Sequence, residues 1–220
     1  MRTYAFNQLN ATNLQEIASI HYELADPAVW DALGRRDIGD PARAAITPIV
    51  AKLRDFGLHL ANEATVWARA IYPLLALAER RGIFAFALVP LSATFDDIEI
   101  RGEADGALAA GVNAEPGTPY VILVEAKRGI GATEPVSQLL GAMLCAAKRN
   151  ERDGKPADVM YGVYTIADVW TFVRARIDWS APKPSVRVLT SPEYMEKLEA
   201  ATILAILGSI IDEHVDVRAA

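Results

Sequence analysis

Only one cysteine, Cys145, stands in the 220 residues. That excludes an internal disulfide framework and any zinc site built on cysteine ligands, and it fits a reducing compartment. The three histidines, His21, His59 and His214, are widely separated and lack metal-ligand spacing. No phosphate-binding glycine loop of the P-loop or dinucleotide type is present. The Ser and Cys residues have no partner pattern for nucleophilic catalysis. No apolar stretch follows the single Arg of MRTYAFNQLNATN, so the start does not read as a signal peptide. The longest apolar run, Ala200 to Ile211, is too short to cross a bilayer. We therefore expect a cytoplasmic protein with no membrane partner. Basic excess is lacking too: 22 Lys and Arg face 28 Asp and Glu, a net charge of −6. Phosphate-binding surfaces usually carry a basic footprint, so a nucleic-acid partner would have to be met by a local basic cleft.

What is present is a core. Apolar residues make up 52% of the chain, enough for one sizeable hydrophobic interior. Residues 1–57 read as a helical and irregular extension, and 58–220 as the main domain, the two packed as one globular unit. Within the extension, Leu14 to Ala25 has some helical spacing, and DPAVWDALGRRDIGDPAR reads as loop with short helical turns. Asp40 and Pro41 suit an N-cap and first helical position, starting a helix that runs to about Asp55. A second helix is expected over Leu60 to Arg81, kinked at Pro73 and stopped by Gly82.

The period then changes from helical to alternating. Ile83–Val89, Ile98–Ala109 and Tyr120–Lys127 read as three successive strands. A helix over Val136–Lys148 follows, then strands at Val159–Ile166, Val169–Ile177 and Val186–Leu189. Ser191-Pro192-Glu193 reads as the opening of a last helix that ends near His214. Trp170 and Phe172 read as core packing. An exposed stripe on Ala200–Ile211 would favour a homodimer through this C-terminal helix. The order is α/β: helix, three-strand antiparallel meander, helix, strand, on a mixed central sheet flanked by helices.

The chemically sharp segment is YVILVEAKRG, Tyr120 to Gly129. An apolar strand ends in Glu125-Ala126-Lys127, and strand alternation points Glu125 and Lys127 to one face. An acid-x-Lys triplet is common by chance; a second one, Asp153-Gly154-Lys155, sits in a polar turn and reads as solvated loop. The hairpin distinguishes the first. If its loop is centred near Glu115, Asp105 lies opposite Glu125, with Cβ atoms roughly 4.5–5.5 Å apart. Facing carboxylates repel, so a shared proton, a cation side chain or a metal ion must compensate. Two carboxylates plus the Ala126 carbonyl suit a hard divalent ion. The alternative is a solvated charge cluster at a strand end.

With RGEADGAL supplying Asp105 and LVEAKRG supplying Glu125 and Lys127, the chain resembles the PD-(D/E)XK, or restriction-endonuclease-like, nuclease superfamily. The family's leading Pro is replaced by Ala104. The resemblance covers about residues 58–178, and YGVYTIADVWTFVRARID resembles the strand that follows in type I restriction enzymes and their relatives. It implies a restriction-endonuclease-like core and a Mg²⁺- or Mn²⁺-dependent nuclease acting on nucleic acid, with DNA the expected form. The implied metal ligands are Asp105, Glu125 and the Ala126 carbonyl, with Lys127 as the catalytic ammonium. The same resemblance adds Glu63, on the first core helix, with Glu79 as its competitor, and Gln138 on the helix after the acid-x-Lys strand. Arg101, Arg128, Lys148, Arg149 and Arg152 are candidate phosphate contacts, and Arg80 and Arg81 end the preceding helix. A catalytically silent restriction-endonuclease-like binding, regulatory or assembly module is the alternative.

Overall fold

The computed structural model describes residues 2–129 and 135–216. In chain order the elements are β1 (Arg2–Ala5), α1 (Ala11–Ile17), β2 (Ser19–Tyr22), α2 (Pro27–Gly34), α3 (Gly39–Arg54), α4 (Glu63–Val66), α5 (Tyr72–Ala78), β3 (Ile83–Phe95), β4 (Ile98–Val112), β5 (Glu115–Lys127), α6 (Val136–Arg152), β6 (Val159–Ile166), β7 (Val169–Asp178), β8 (Ser185–Met195) and α7 (Glu196–Asp216). The strands form one mixed sheet in the order β1-β4-β5-β6-β7-β8-β2, with β3 paired to β4. The chain is a mixed α/β protein with helices on both faces of that sheet.

Two cores follow from the two faces. Trp30, Leu53, Leu74, Ile203 and Ile210 pack on Val124, Val163 and Phe172, so α2, α3, α5 and α7 share one face. Leu14, Leu139 and Met143 pack on Leu123 and Val173, so α1 and α6 cover the other. Alternation along β5 sorts its residues between them, with Ile122, Val124 and Ala126 in the first core and Leu123 in the second. Glu125 and Lys127 accordingly project toward α6.

Several sequence boundaries move. The span from Leu14 splits into a short helix, capped by Asn10, and the edge strand β2. DPAVWDALG is a true helix, capped by the Asp26 side chain. Helix α3 starts at Gly39, so Asp40 lies in its first turn and is not the cap. Ser191-Pro192-Glu193 lies inside β8, and the last helix begins at Glu196. There Ser191 accepts a hydrogen bond from the Phe172 amide at a register shift between Thr171 and Val173, so its hydroxyl serves the sheet. The apolar stripe on α7 is buried inside the chain: Ile203, Leu204, Ile206, Leu207, Ile210 and Ile211 are at most 1% exposed. The homodimer expectation therefore loses its surface. Among the described residues no helix is long and apolar enough to cross a membrane.

The helix expected around Pro73 is continuous but not regular. Between α4 and α5 lies a π-helical turn, Trp67–Ile71, in which the Tyr72 amide reaches the Trp67 carbonyl. Proline has no N–H to donate and its ring crowds the carbonyl four residues back, so a widened turn before Pro73 relieves both problems.

Candidate active site

Asp105 faces Glu125, though not for the reason a simple hairpin would give. The turn is at Asn113–Ala114 and pairs Val112 with Glu115. Two register shifts then correct the pairing. β5 gains two residues between Ala110↔Gly117 and Ala109↔Tyr120, and one more before Leu108↔Ile122. The ladder ends at Gly106↔Val124, with Asp105 and Glu125 as the next pair.

Beyond that point β5 leaves the edge of β4. Strand β1 takes the same edge farther along, pairing Ala5 with Arg101, while β3 runs along the opposite edge throughout. The interval Gly102–Asp105 lies between the two partners and forms a cleft in the sheet. The β3–β4 ribbon also turns over here. Ile83 and Ala85 belong to one core, whereas Val89 and Leu91 belong to the other, despite their equal parity. The residue at the switch is Leu88, in left-handed conformation at φ 53°, and the β3–β4 register sets it opposite Asp105.

Into this cleft the strand ends deliver the polar groups. Asp105 Oδ2 accepts a hydrogen bond from the Ala126 amide at 2.6 Å. The Lys127 carbonyl accepts from Ala167 on the β6 side; because backbone groups alternate along a strand, the Ala126 carbonyl faces the β4 side with its amide. Lys127 Nζ lies 2.7 Å from Glu125 Oε1 and donates to Gln138 Oε1 at 3.2 Å. Glu63 opens α4 behind the Asn62 cap and lines, with Trp67, Ala64, Leu88, Asp105 and Ala126, a pocket of about 320 Å³.

The electrostatics reflect crowding of acids in a partly dry place. Glu125 is 4% exposed. Burial first, then the Asp105 charge, pushes its carboxyl up to about 7 against the pull of Lys127. Burial also raises Asp105, opposed by the Ala126 amide and Lys127. For Lys127 burial works against the charge, but the Glu125 hydrogen bond and the surrounding carboxylates outweigh it, so the ammonium is held protonated.

No family model matches the chain, and no curated protein matches it.

All five residues singled out in the sequence thus meet in one place: Asp105, Glu125 and Lys127 on the sheet, Glu63 and Gln138 from helices on either side. Glu79 is elsewhere, its carboxylate accepting from the Ala85 amide. Most of the basic candidates are elsewhere too. Lys148, Arg149 and Arg152 lie about 15 Å or more along α6 from Gln138. Lys148 pairs with Glu151, Arg149 bonds Tyr120 Oη and the Pro90 carbonyl, and Arg152 pairs with Asp153. Arg80 and Arg81 lie beside Asp212. Only Arg128, directly after Lys127, and Arg101, on β4, are exposed near the cleft. The second triplet is the solvated turn expected of it, with Asp153 accepting from Thr118 and Gly154 at positive φ. Cys145 is buried, and burial raises its thiol far above the usual range, so it is no nucleophile.

Trp67, Leu88 and Gly106 were missed. A signal existed for the first: Trp67 follows Glu63 by four positions, so the two share a helix face. A Cβ on Gly106 would lie 2.2 Å from the Trp67 ring and 2.8 Å from the Phe86 carbonyl. The glycine is what lets the indole lie against the sheet beside Asp105.

Among the described residues no group of three or more His, Cys, Asp and Glu is arranged to hold a metal ion. That does not conflict with Mg²⁺ or Mn²⁺, since Mg²⁺ commonly takes one or two carboxylates and completes its shell with water and substrate oxygens. Asp105, Glu125 and the Ala126 carbonyl form such an oxygen set, and both carboxyl groups are raised, first by burial.

Proposed function

We propose that the chain is a metal-dependent nuclease of the PD-(D/E)XK type that hydrolyses phosphodiester bonds, with DNA as the first substrate to test. The observation that carries this is the convergence of Asp105, Glu125 and Lys127 at the point where β5 parts from β4. The order of elements supports a restriction-endonuclease-like core: α4 and α5, the antiparallel meander β3–β4–β5, then α6, then β6 parallel to β5.

Asp105, Glu125 and the Ala126 carbonyl would hold Mg²⁺ or Mn²⁺, which supplies Lewis acidity and an acidified water. The protein's own groups do the rest. Lys127, kept protonated by its neighbours, stabilises negative charge that develops on phosphate oxygens. Gln138 holds the Lys127 ammonium toward the cleft. Glu63, at the rim, orients water entering from solvent. The Ala126 amide fixes the Asp105 carboxylate, so its second oxygen is aimed and not free to rotate.

A second reading is a catalytically silent module of the same architecture, favoured by the net charge of −6 and by the basic side chains tied up away from the cleft. One assay separates the two: Mn²⁺ or Mg²⁺ with single-stranded, duplex and branched DNA, and with RNA. Cleavage that disappears with chelator and in Lys127→Ala supports the nuclease. Intact substrates throughout, with no metal-induced rise in melting temperature, would end that reading.

A further inference from the structure

The pocket beside Asp105 is lined by residues of two kinds: the acids Asp105 and Glu63, and the apolar Trp67, Leu88, Ala64, Ala87 and Ala126. Trp67 is partly exposed and is braced by Tyr72, with ring centroids 6.0 Å apart. Leu88 is 62% exposed, an unusual position for a leucine in left-handed conformation, and that conformation turns the strand at the mouth of the pocket. A partly exposed indole and an exposed leucine next to a phosphodiester-cleaving centre make a surface for a planar, uncharged ring. Among the described residues, most of the basic side chains expected to flank the cleft lie elsewhere. Of the basic residues expected to flank it, only Arg101 and Arg128 are exposed near it, whereas binding of duplex backbone draws most of its affinity from cations on phosphates. Stacking of unpaired bases on aromatic side chains supplies affinity without a broad basic face.

We infer that the Trp67–Leu88 surface is a stacking subsite for one unpaired base, so that the substrate is single-stranded nucleic acid or a frayed or extruded nucleotide, and not an intact duplex. The inference rests on the nuclease reading for the neighbouring phosphate, but base binding itself does not need cleavage. A pocket of about 320 Å³ has room for one heterocycle. The stacked base brings its own phosphate to Asp105, the acid that lines the pocket.

The test is binding in Ca²⁺, of a short oligothymidylate and of a blunt duplex of equal length, read by anisotropy and by tryptophan fluorescence. Trp30 and Trp170 are fully buried, whereas Trp179 is partly exposed at another pocket, so the quench is assigned to Trp67 by its loss in the Trp67 variants. We expect the single strand to bind more tightly and to quench. Trp67→Leu keeps apolar bulk without a π face and should weaken single-strand binding about tenfold. Trp67→Phe should keep the binding and lose the quench. Leu88→Asn suits the left-handed backbone and should weaken binding without lowering the melting temperature. Duplex binding as tight as single-strand binding, or affinity indifferent to both Trp67→Leu and Leu88→Asn, would overturn the inference. Mn²⁺-dependent cleavage that is indifferent to them would overturn it and leave the nuclease standing. Trp67-dependent binding with no cleavage of any substrate would support it while removing the nuclease. A free nucleoside that fills the pocket while oligonucleotides do not bind would overturn it in favour of a small-molecule ligand.

Discussion

Glu125 is the residue on which charge, proton and ion compete. Its usual carboxyl value is 4.5, and in the fold it stands at about 7. Between those values the folded chain binds more protons than the unfolded chain, so stability falls as pH rises from about 5 to 8. The contribution is fully present below the unfolded value and is lost through the folded one. Glu125→Gln removes that loss. The variant should match the parent at pH 5 and exceed it at pH 8 by about 1–3 kcal/mol without metal, while losing cleavage. Thermal melts across that range check the sign; a variant less stable at pH 8 would mean that Lys127 alone compensates the charge. Because an ion must displace the proton, Mg²⁺ should raise the melting temperature of the parent more at pH 8 than at pH 6, and hardly at all in the variant. The pairing of Asp105 with Glu125 was legible from a hairpin and period-two alternation. The route was not, since the turn is at Asn113–Ala114 and two register shifts restore the pairing that a loop centred at Glu115 would have produced. Both shifts add residues to β5, and together they make up for the displacement of the turn.

At the scale of elements, the site depends on how the helical stretch around Trp67 lies against β4. Gly106 makes the approach possible, and its neighbour Asp105 uses the space the approach leaves. Gly106→Ala should therefore act as an overpacking change. We expect a loss of about 1–3 kcal/mol, read by chemical denaturation, together with a fall in cleavage because the shifted indole carries Glu63 with it. Full stability in the variant would show that the helix slides freely on the sheet, and Trp67 would then lose its place in the pocket's geometry. Helices with regular periods were readable, and so were the strand ends near Lys127. The π-helical turn was readable only as a kink at Pro73, because periodicity shows where a helix is disturbed and not how its hydrogen bonds are rearranged. Leu88 was equally silent: a non-glycine residue at positive φ inside a strand follows from the packing of two cores, not from its own side chain.

The whole molecule is closed by its first 57 residues, the part least legible in sequence. Four-residue strands such as β1 and β2 are too short to show a period, and their partners, β4 and β8, are distant along the chain. Both are parallel additions at opposite ends of the sheet path, which fixes where the cleft stops: β1 pairs as far as Arg101, and Phe6 packs where a side chain on Gly102 would lie. The same segment covers α7, with Trp30 and Leu53 fully buried and Leu33 and Ile46 nearly so. Arg36 pairs with Asp212 and reaches the Gly208 carbonyl, and Ser209 bonds the Leu33 carbonyl, so polar groups fasten the same contact. Four large apolar side chains at about 1.5–3 kcal/mol each already match the stability of an ordinary domain, roughly 5–15 kcal/mol. Phe6, Leu9, Leu14 and Ile17 add to the loss on the other face. A chain beginning at residue 58 should therefore fail to fold cooperatively, exposing the α7 stripe, and should bind a hydrophobic dye and associate. A sharp melt near that of the full chain would instead make the segment an ornament. In that case the rim of the cleft at Gly102, which β1 and Phe6 build, would have to be held by β3 and β4 alone.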